Sequence, residues 1–239
     1  MANTWFQFKK FTVHQQNSAM KVTTDGCLFG AIQPAFPHHG SGLQVLDIGT
    51  GTGLLSLMFA QLNPGSTISA IEIDHAAALE AAENVARSPF HKCIRVVQGD
   101  VARFFPGNGF GHIICNPPFY EAQLKSPGRE KNIAHHSTEL TLESLFVAIA
   151  RFIVPQGSVS LLLPYYREKE AIERAMAHNL YPSRLVRVRQ TPKHGPFRTI
   201  FFLKSNRAET EITEITIRDN ENQYTPGFYA LLKPFYLNL

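Results

Sequence analysis

Cysteine is scarce in this 239-residue sequence: only Cys27, Cys93 and Cys115, an odd number with no C-x-x-C spacing. That excludes a disulfide framework and offers no zinc pattern, so the three thiols read as core residues. No stretch approaches the ~18 consecutive apolar residues of a membrane-spanning helix. The opening MANTWFQFKK also lacks the basic-then-apolar order of a secretory leader. The chain therefore reads as cytoplasmic, with no membrane partner. Internal repeats and low-complexity tracts are missing too, so a single continuous fold is expected; the residues leave the oligomeric state open, with a monomer favoured.

What is present fits a large α/β domain. With 44% hydrophobic residues, 239 residues can bury a sizeable core. The formal charge of +4 and the pI near 9.0 suit a polyanionic partner, but they suit many ordinary soluble enzymes as well. The basic residues are concentrated in two stretches, LKSPGREK at 124–131 and RLVRVRQTPKHGPFR at 184–198. Either could equally be a solvated loop or a sheet edge guarded by charge.

Short apolar β-rich runs alternate with helical patterns along the chain. LQVLDI reads as a buried strand, GLLSLMFAQL as a helix ending near Asn63-Pro64-Gly65, and STISAIEI as the next strand. The alanine-rich HAAALEAAENVARS is helical and stops at Pro89; CIRVVQ and FGHIIC supply two more strands. A polar loop follows, then a helix in LTLESLFVAIARFI, a strand in SVSLLLP, a helix in YREKEAIERAMAHN, and strands in SRLVRVRQ and RTIFFLKS. Such alternation predicts a doubly wound, mostly parallel sheet with an antiparallel edge hairpin. Ligands in such sheets bind at the carboxyl ends of the strands, where strand order reverses. Residues 43–205 form this body. Residues 1–42 and 206–239 are expected to be packing arms, in which Trp5, Phe6, Phe8, Phe11 and the C-terminal aromatics could cover an edge.

Chemistry is concentrated where strands end. VLDIGTGTGLLSL places Gly49, Gly51 and Gly53 at alternate positions, allowing a sharp turn and close approach of a ligand at a helix N-terminus. The dinucleotide fingerprint G-x-G-x-x-G/A does not fit, whether read from Gly49 or from Gly51. A P-loop is excluded because no Gly-Lys-Ser/Thr follows. Asp47, two residues before the first glycine, belongs to neither pattern. Glu72 closes the second strand about 20 residues on, where an acid can accept from both ribose hydroxyls. QGDV after the third strand supplies Asp100, placed to accept from an adenine amino group, together with Val101. The fourth strand runs into Asn116-Pro117-Pro118-Phe119, a stiff non-helical corner. Each of these residues taken singly could be a helix cap or turn former. Four successive strands ending in polar groups on one edge make that explanation poor.

The order D-x-G-x-G-x-G, E-x-D, G-D, N-P-P-F resembles class I S-adenosylmethionine-dependent methyltransferases that act on exocyclic amino or amide nitrogen. FQFKKFTVHQQNSAMKVTTDGCLFGA, HIICNPPFY and YTPGFYALLKPFYL are together similar to the bacterial tRNA1(Val) adenine-N6 methyltransferases, across nearly the whole chain. The resemblance implies a Rossmann-like class I sheet and S-adenosyl-L-methionine held by Asp47, Gly49, Gly51, Glu72, Asp100 and Val101. It also implies a tRNA substrate, with MKVTTDG lying over the methionine end of the cofactor. The chain departs from the family at Thr23, usually Gly, and at His135-His136-Ser137, usually Arg-His-Glu.

On this resemblance the NPPF corner has a chemical reason. The adenine N6 lone pair is delocalised into the ring. If the Asn116 side-chain oxygen and the Pro117 carbonyl accept its two hydrogens, the nitrogen can pyramidalise, while Phe119 stacks on the flipped base. No strong base is required, which fits the lack of an evident catalytic His or Cys. His135 and His136 read as loop residues, and no third ligand of suitable spacing suggests a metal. Lys125, Arg129, Lys131, Lys193 and Arg198 are the candidates for tRNA phosphates. A protein-glutamine N5-methyltransferase shares the N-P-P corner but carries an N-terminal helical domain for which 42 residues leave no room. DNA adenine methyltransferases generally add a recognition insert that is lacking here. A non-catalytic nucleotide- or RNA-binding module would have no use for Asn116.

Overall fold

The structure, a computed structural model, describes residues 3–18, 20–36, 42–118 and 140–238. It begins with a small antiparallel pair, β1 (Trp5–Gln7) and β2 (Thr12–His14), followed by α1 (Thr24–Ala31). The body then alternates through β3 (Gln44–Ile48), α2 (Leu54–Leu62), β4 (Thr67–Glu72), α3 (His75–Ala86), β5 (Ile94–Gln98) and β6 (Phe110–Cys115). After the undescribed stretch come α4 (Leu142–Phe152), β7 (Ile153–Pro164), α5 (Glu168–Ala177), β8 (Tyr181–Arg189), β9 (Arg198–Lys204), β10 (Glu211–Thr216) and α6 (Pro226–Leu232).

Eight of these strands make one sheet in the order β10-β8-β9-β7-β6-β3-β4-β5. All neighbours pair in parallel except β9, which runs antiparallel between β7 and β8. This is the mostly parallel, doubly wound sheet expected from the alternation. The β8–β9 hairpin is present, and β10, from the C-terminal segment, extends the sheet beyond it. β3, β6 and β7 have neighbours on both sides and are buried on both faces, so their sequences are nearly continuous apolar runs instead of alternating ones.

Two cores flank the sheet. One joins α1, α2 and α6 with Val85 of α3, and the other packs α4 and α5 against the opposite face. α1 approaches α2 closely at Gly30, where an added Cβ would lie 2.5 Å from the Met58 sulfur. The two chain ends meet on the first core. Phe8 stacks on Phe11 at 4.7 Å and bridges to Tyr236, and Lys9 N donates to Phe235 O at 2.7 Å. Of the four N-terminal aromatics, Phe8 and Phe11 are buried, whereas Trp5 stays half exposed. Cys27 and Cys115 are core thiols; Cys93 is only partly covered. No helix among the described residues is long and apolar enough to cross a membrane.

Two boundaries differ from the sequence reading. β7 begins at Ile153, upstream of SVSLLLP, through an irregular entry in which Gln156 has φ 64 and the pairing with β6 shifts register. α5 begins at Glu168, after a 3-10 turn at Tyr165–Arg167. Pro164 ends the strand, and the first turn after it is wound as 3-10, a common start to an α-helix, before α5 takes over at Glu168.

Candidate active site

Strand order reverses beside β3: the chain moves from β3 to β4 and β5, then returns to lay β6 on the other side. The register fixes what meets there. Cys115 is level with Ile48 and Ile48 with Ile71, so the next residues outward, Asn116, Gly49 and Glu72, stand at one height on three adjacent strands. Gln98 of β5 is paired with Glu72 at the same height, and Asp100 lies two residues beyond.

The glycine turn is built by positive φ: 70 at Gly49, 56 at Gly51 and 82 at Gly53. The three glycines serve different ends. An added Cβ at Gly53 would lie 3.6 Å from Ala81 of α3, so that position allows close packing of helix on turn. At Gly49 it would meet nothing within 4 Å, whereas at Gly51 it would touch the Ser18 hydroxyl of the N-terminal arm at 3.6 Å, so Gly49 looks onto open space and Gly51 lies under the arm. Gly49 N and Thr50 N donate to Ile71 O, at 2.8 and 3.0 Å, tying the turn to β4.

Glu72 is 9% exposed and completes the turn: its Oε2 accepts from Gly51 N at 2.9 Å and its Oε1 from Asp74 N at 3.0 Å. A carboxylate has about four acceptor positions, so two remain for a ligand. Asp47 lies fully buried beneath the turn. Its Oδ2 accepts from Thr50 Oγ1 at 2.6 Å and Ser56 Oγ at 2.7 Å, while Oδ1 is buried with no partner. Burial pushes its carboxyl up to about 6, with the two hydroxyls acting in the opposite direction. Asp100 Oδ1 accepts from Ala102 N at 2.8 Å, capping a 3-10 turn, which leaves its other oxygen for a ligand. The Val101 side chain is packed into the core below that turn, so only its backbone faces the edge.

The N-terminal arm crosses this site. α3 carries two polar residues on its buried face, Glu80 and Asn84. The Glu80 carboxylate accepts from Gln16 N, Asn17 N and Ser18 N at 2.5, 3.0 and 2.9 Å. Asn84 accepts from His14 N at 2.8 Å and donates to His14 O and to Thr52 O of the glycine turn. Beyond this clamp, Met20 reaches the corner, where Asn116 Nδ2 donates to its sulfur at 3.5 Å. Thr23, the departure from the family pattern, caps α1 by accepting from Gly26 N at 3.2 Å. At the corner itself Pro117 is buried and Pro118 exposed.

The structure thus brings Asp47, Gly49, Gly51, Glu72, Asp100, Asn116 and Pro117 to one edge. Lys193 is exposed in the β8–β9 turn and Arg198 opens β9, both on that same edge. Arg198 is engaged, its Nε donating to Asp25 at 2.9 Å. Phe119, Lys125, Arg129, Lys131, His135 and His136 lie outside the described residues. Sequence reasoning missed Glu80, Asn84 and Ile73, and it placed Met20 near the cofactor only as part of MKVTTDG, without its contact to Asn116. Ile73 is 48% exposed directly after Glu72, an unpaired apolar face beside the open edge. An apolar residue between the two acids of E-x-D was its signal. For Glu80 and Asn84 the signal was their position on the helix stripe otherwise occupied by Ala77, Ala81 and Val85.

These residues fit S-adenosylmethionine. Open space lies over Gly49, Glu72 has free acceptor positions, Ile73 offers an apolar face, and Asp47 keeps an unpartnered buried oxygen beneath the turn. Comparisons with known proteins return methyltransferases. Residues 31–151 match the family model described as methyltransferase small domain. A tRNA1(Val) (adenine(37)-N6)-methyltransferase of Parabacteroides distasonis is 36% identical over 242 residues, covering 100% of both chains. One of Dyadobacter fermentans is 38% identical, covering 98% of each. Among solved structures, a predicted O-methyltransferase from Agrobacterium tumefaciens superposes with a TM-score of 0.66 at 15% identity, over 90% of this chain and 99% of that one, a likeness of fold.

Proposed function

The chain belongs to the tRNA1(Val) (adenine(37)-N6)-methyltransferase family, and from that premise we propose that it methylates the exocyclic N6 of adenosine 37 in tRNA1(Val) with S-adenosylmethionine, through an acceptor corner at Asn116. The observation that carries the site reading is the shared height of Asn116, Gly49 and Glu72 on three adjacent strands. It supports reading Asn116 as a nitrogen-binding corner beside a cofactor turn at the switch point of the sheet.

S-adenosylmethionine supplies a methyl group already activated on a sulfonium. Glu72 accepts from the ribose hydroxyls, Asp100 from the adenine amino group of the cofactor, and the glycine turn admits both. Asn116 Oδ1 and the Pro117 carbonyl accept the two hydrogens of the target amine, so that its lone pair localises on nitrogen. Met20 takes part by accepting from Asn116 Nδ2, which leaves Oδ1 as the atom turned to the substrate. The two prolines keep the acceptors in place, and Phe119 takes the stacking role on the flipped base. The proton leaves after transfer, with no strong base and no metal required. Residues 43–205 are the catalytic body, residues 1–42 the arm over its site, and residues 206–239 an arm packed on the same body. Lys125, Arg129, Lys131 and Lys193 are the basic positions assigned to tRNA phosphates, whereas Arg198 is already engaged by Asp25, and the enzyme works in the cytoplasm.

Labelled S-adenosylmethionine offered with total tRNA, total protein and DNA side by side tests the reading. Label should enter tRNA as N6-methyladenosine; label in protein instead would favour the glutamine N5 reaction. Asn116→Ala should lower kcat by about 100-fold or more with little change in cofactor affinity. Wild-type turnover in that variant would remove Asn116 from the chemistry.

A further inference from the structure

A second feature of the same edge has no part in the reaction described so far. β7 lies beside β6, with Leu161 level with Cys115, so Leu162 is level with Asn116. β7 continues to Pro164, two residues or roughly 7 Å further out at about 3.3 Å per residue. The chain then makes its 3-10 turn at Tyr165–Arg167 and places two aromatic rings at the rim. Tyr166 is 67% exposed and Tyr165 36%, and neither belongs to either core.

The turn is firmly anchored. Tyr165 N donates to Phe197 O at 3.1 Å, and the Arg187 guanidinium lies 5.5 Å over the Tyr165 ring. Arg187 in turn donates twice to Glu168, at 3.1 and 2.7 Å, and Glu168 also accepts from buried Thr199 at 2.7 Å. The guanidiniums nearby are paired with carboxylates: Arg167 with Glu170, Arg187 with Glu168, Arg198 with Asp25. The turn therefore has a fixed backbone, and it leaves the Tyr166 ring exposed among paired charges.

We propose that Tyr166 is a stacking platform for an unpaired nucleobase adjoining the methylated adenosine. The proposal rests on the tRNA reading above. A base that enters the Asn116 corner has left its own stack, so its neighbour has lost a partner. Proteins that read single-stranded RNA commonly replace such a partner with an aromatic side chain, which accepts any base because every base has a π-face. Tyr166 contributes by stacking and Lys193 by charge, and the two contributions respond differently to salt.

The test is tRNA filter binding across a salt series, with methyl-transfer kinetics, for wild type, Tyr166→Ala, Tyr166→Leu, Tyr166→Phe and Lys193→Ala. Tyr166→Ala and Tyr166→Leu should weaken tRNA binding and raise KM for tRNA about 5- to 100-fold. The slope of log K against log salt should stay as in wild type, and so should cofactor affinity. Tyr166→Phe should bind like wild type, while Lys193→Ala should flatten the slope by about 0.7. Undiminished binding by Tyr166→Ala, or Leu serving as well as Phe, overturns the platform. If wild type methylates tRNA and Tyr166→Ala is indifferent, this proposal alone fails. If wild type neither binds nor methylates tRNA, the function fails with it.

Discussion

Glu72 holds the glycine turn through Gly51 N, and in the proposed function its remaining acceptor positions take the ribose of the cofactor. The pair of substitutions Glu72→Ala and Glu72→Gln separates the two roles. Loss of a hydrogen bond to a charged group costs roughly 1.5 to 3 kcal/mol, so Glu72→Ala should weaken S-adenosylmethionine binding about 10- to 100-fold by calorimetry. Glu72→Gln keeps one oxygen for the Gly51 amide and should lose less. Equal dissociation constants for wild type and Glu72→Ala would take Glu72 out of the cofactor site. The same scale explains why the contact of Met20 with Asn116 could not be read from sequence. A methionine is an ordinary gap-filler in most contexts, and only its 3.5 Å contact with Asn116, 96 residues away, gives it a place beside the chemistry.

At the scale of elements, α3 is more than a cover for β4 and β5. Alanines at 77, 78 and 81 let it lie close to the glycine turn, and its two buried polar residues hold the arm that carries Met20. Glu80→Ala should leave three arm amides without their acceptor. Ser18 N is the buried one, and an unsatisfied buried donor costs about 1 to 3 kcal/mol, whereas Gln16 and Asn17 can turn to water. Amide hydrogen exchange at residues 16–18 should accelerate, with protection in the central strands retained; unchanged exchange there would mean that something else holds the arm. The helix itself was legible from its alanine spacing. The destination of its carboxylate was not, because the partner lies 62 to 64 residues earlier and donates through backbone, which leaves no side-chain pattern to read.

For the whole molecule, two buried titratable groups on adjacent strands oppose each other. His112 is fully buried, accepts or shares protons with Ser158 and Ser160, stacks on Phe59, and is held down to about 3 by burial. Folded, it binds fewer protons than the unfolded chain between about 3 and 6.5, so its contribution to stability is complete above 6.5 and is lost as pH falls. Asp47, pushed up to about 6, binds more protons folded than unfolded between 3.8 and 6, so its contribution is complete below 3.8 and is lost as pH rises. The two slopes cancel over much of that window. His112→Phe removes one of them. In urea melts from pH 7 to pH 4, the variant should gain on wild type by up to about 1.4 kcal/mol per pH unit below 6.5, whatever its stability at pH 7. A constant difference would show that His112 does not govern the acid limb.

Local rules determined much of this protein directly from its sequence. Strand and helix alternation specified a doubly wound sheet. Three glycines allowed the positive φ of a sharp turn, and two prolines pushed Asn116 and Pro117 to extended geometry, because each of these effects acts within a few residues. What only the tertiary structure decided depends on contacts between distant segments. β9 is inserted antiparallel between β7 and β8, and β10 adds itself outside them, by backbone pairing that apolar periodicity does not distinguish. Arg198 reads as a free basic residue in sequence, yet it is paired with Asp25, 173 residues before it. Tyr166 reads as the first turn of a helix, yet Pro164 and the tight turn after it leave the ring at the rim. The height shared by Asn116, Gly49 and Glu72 was implied by their strand ends, but register alone, set by how buried faces match across the sheet, makes it a site.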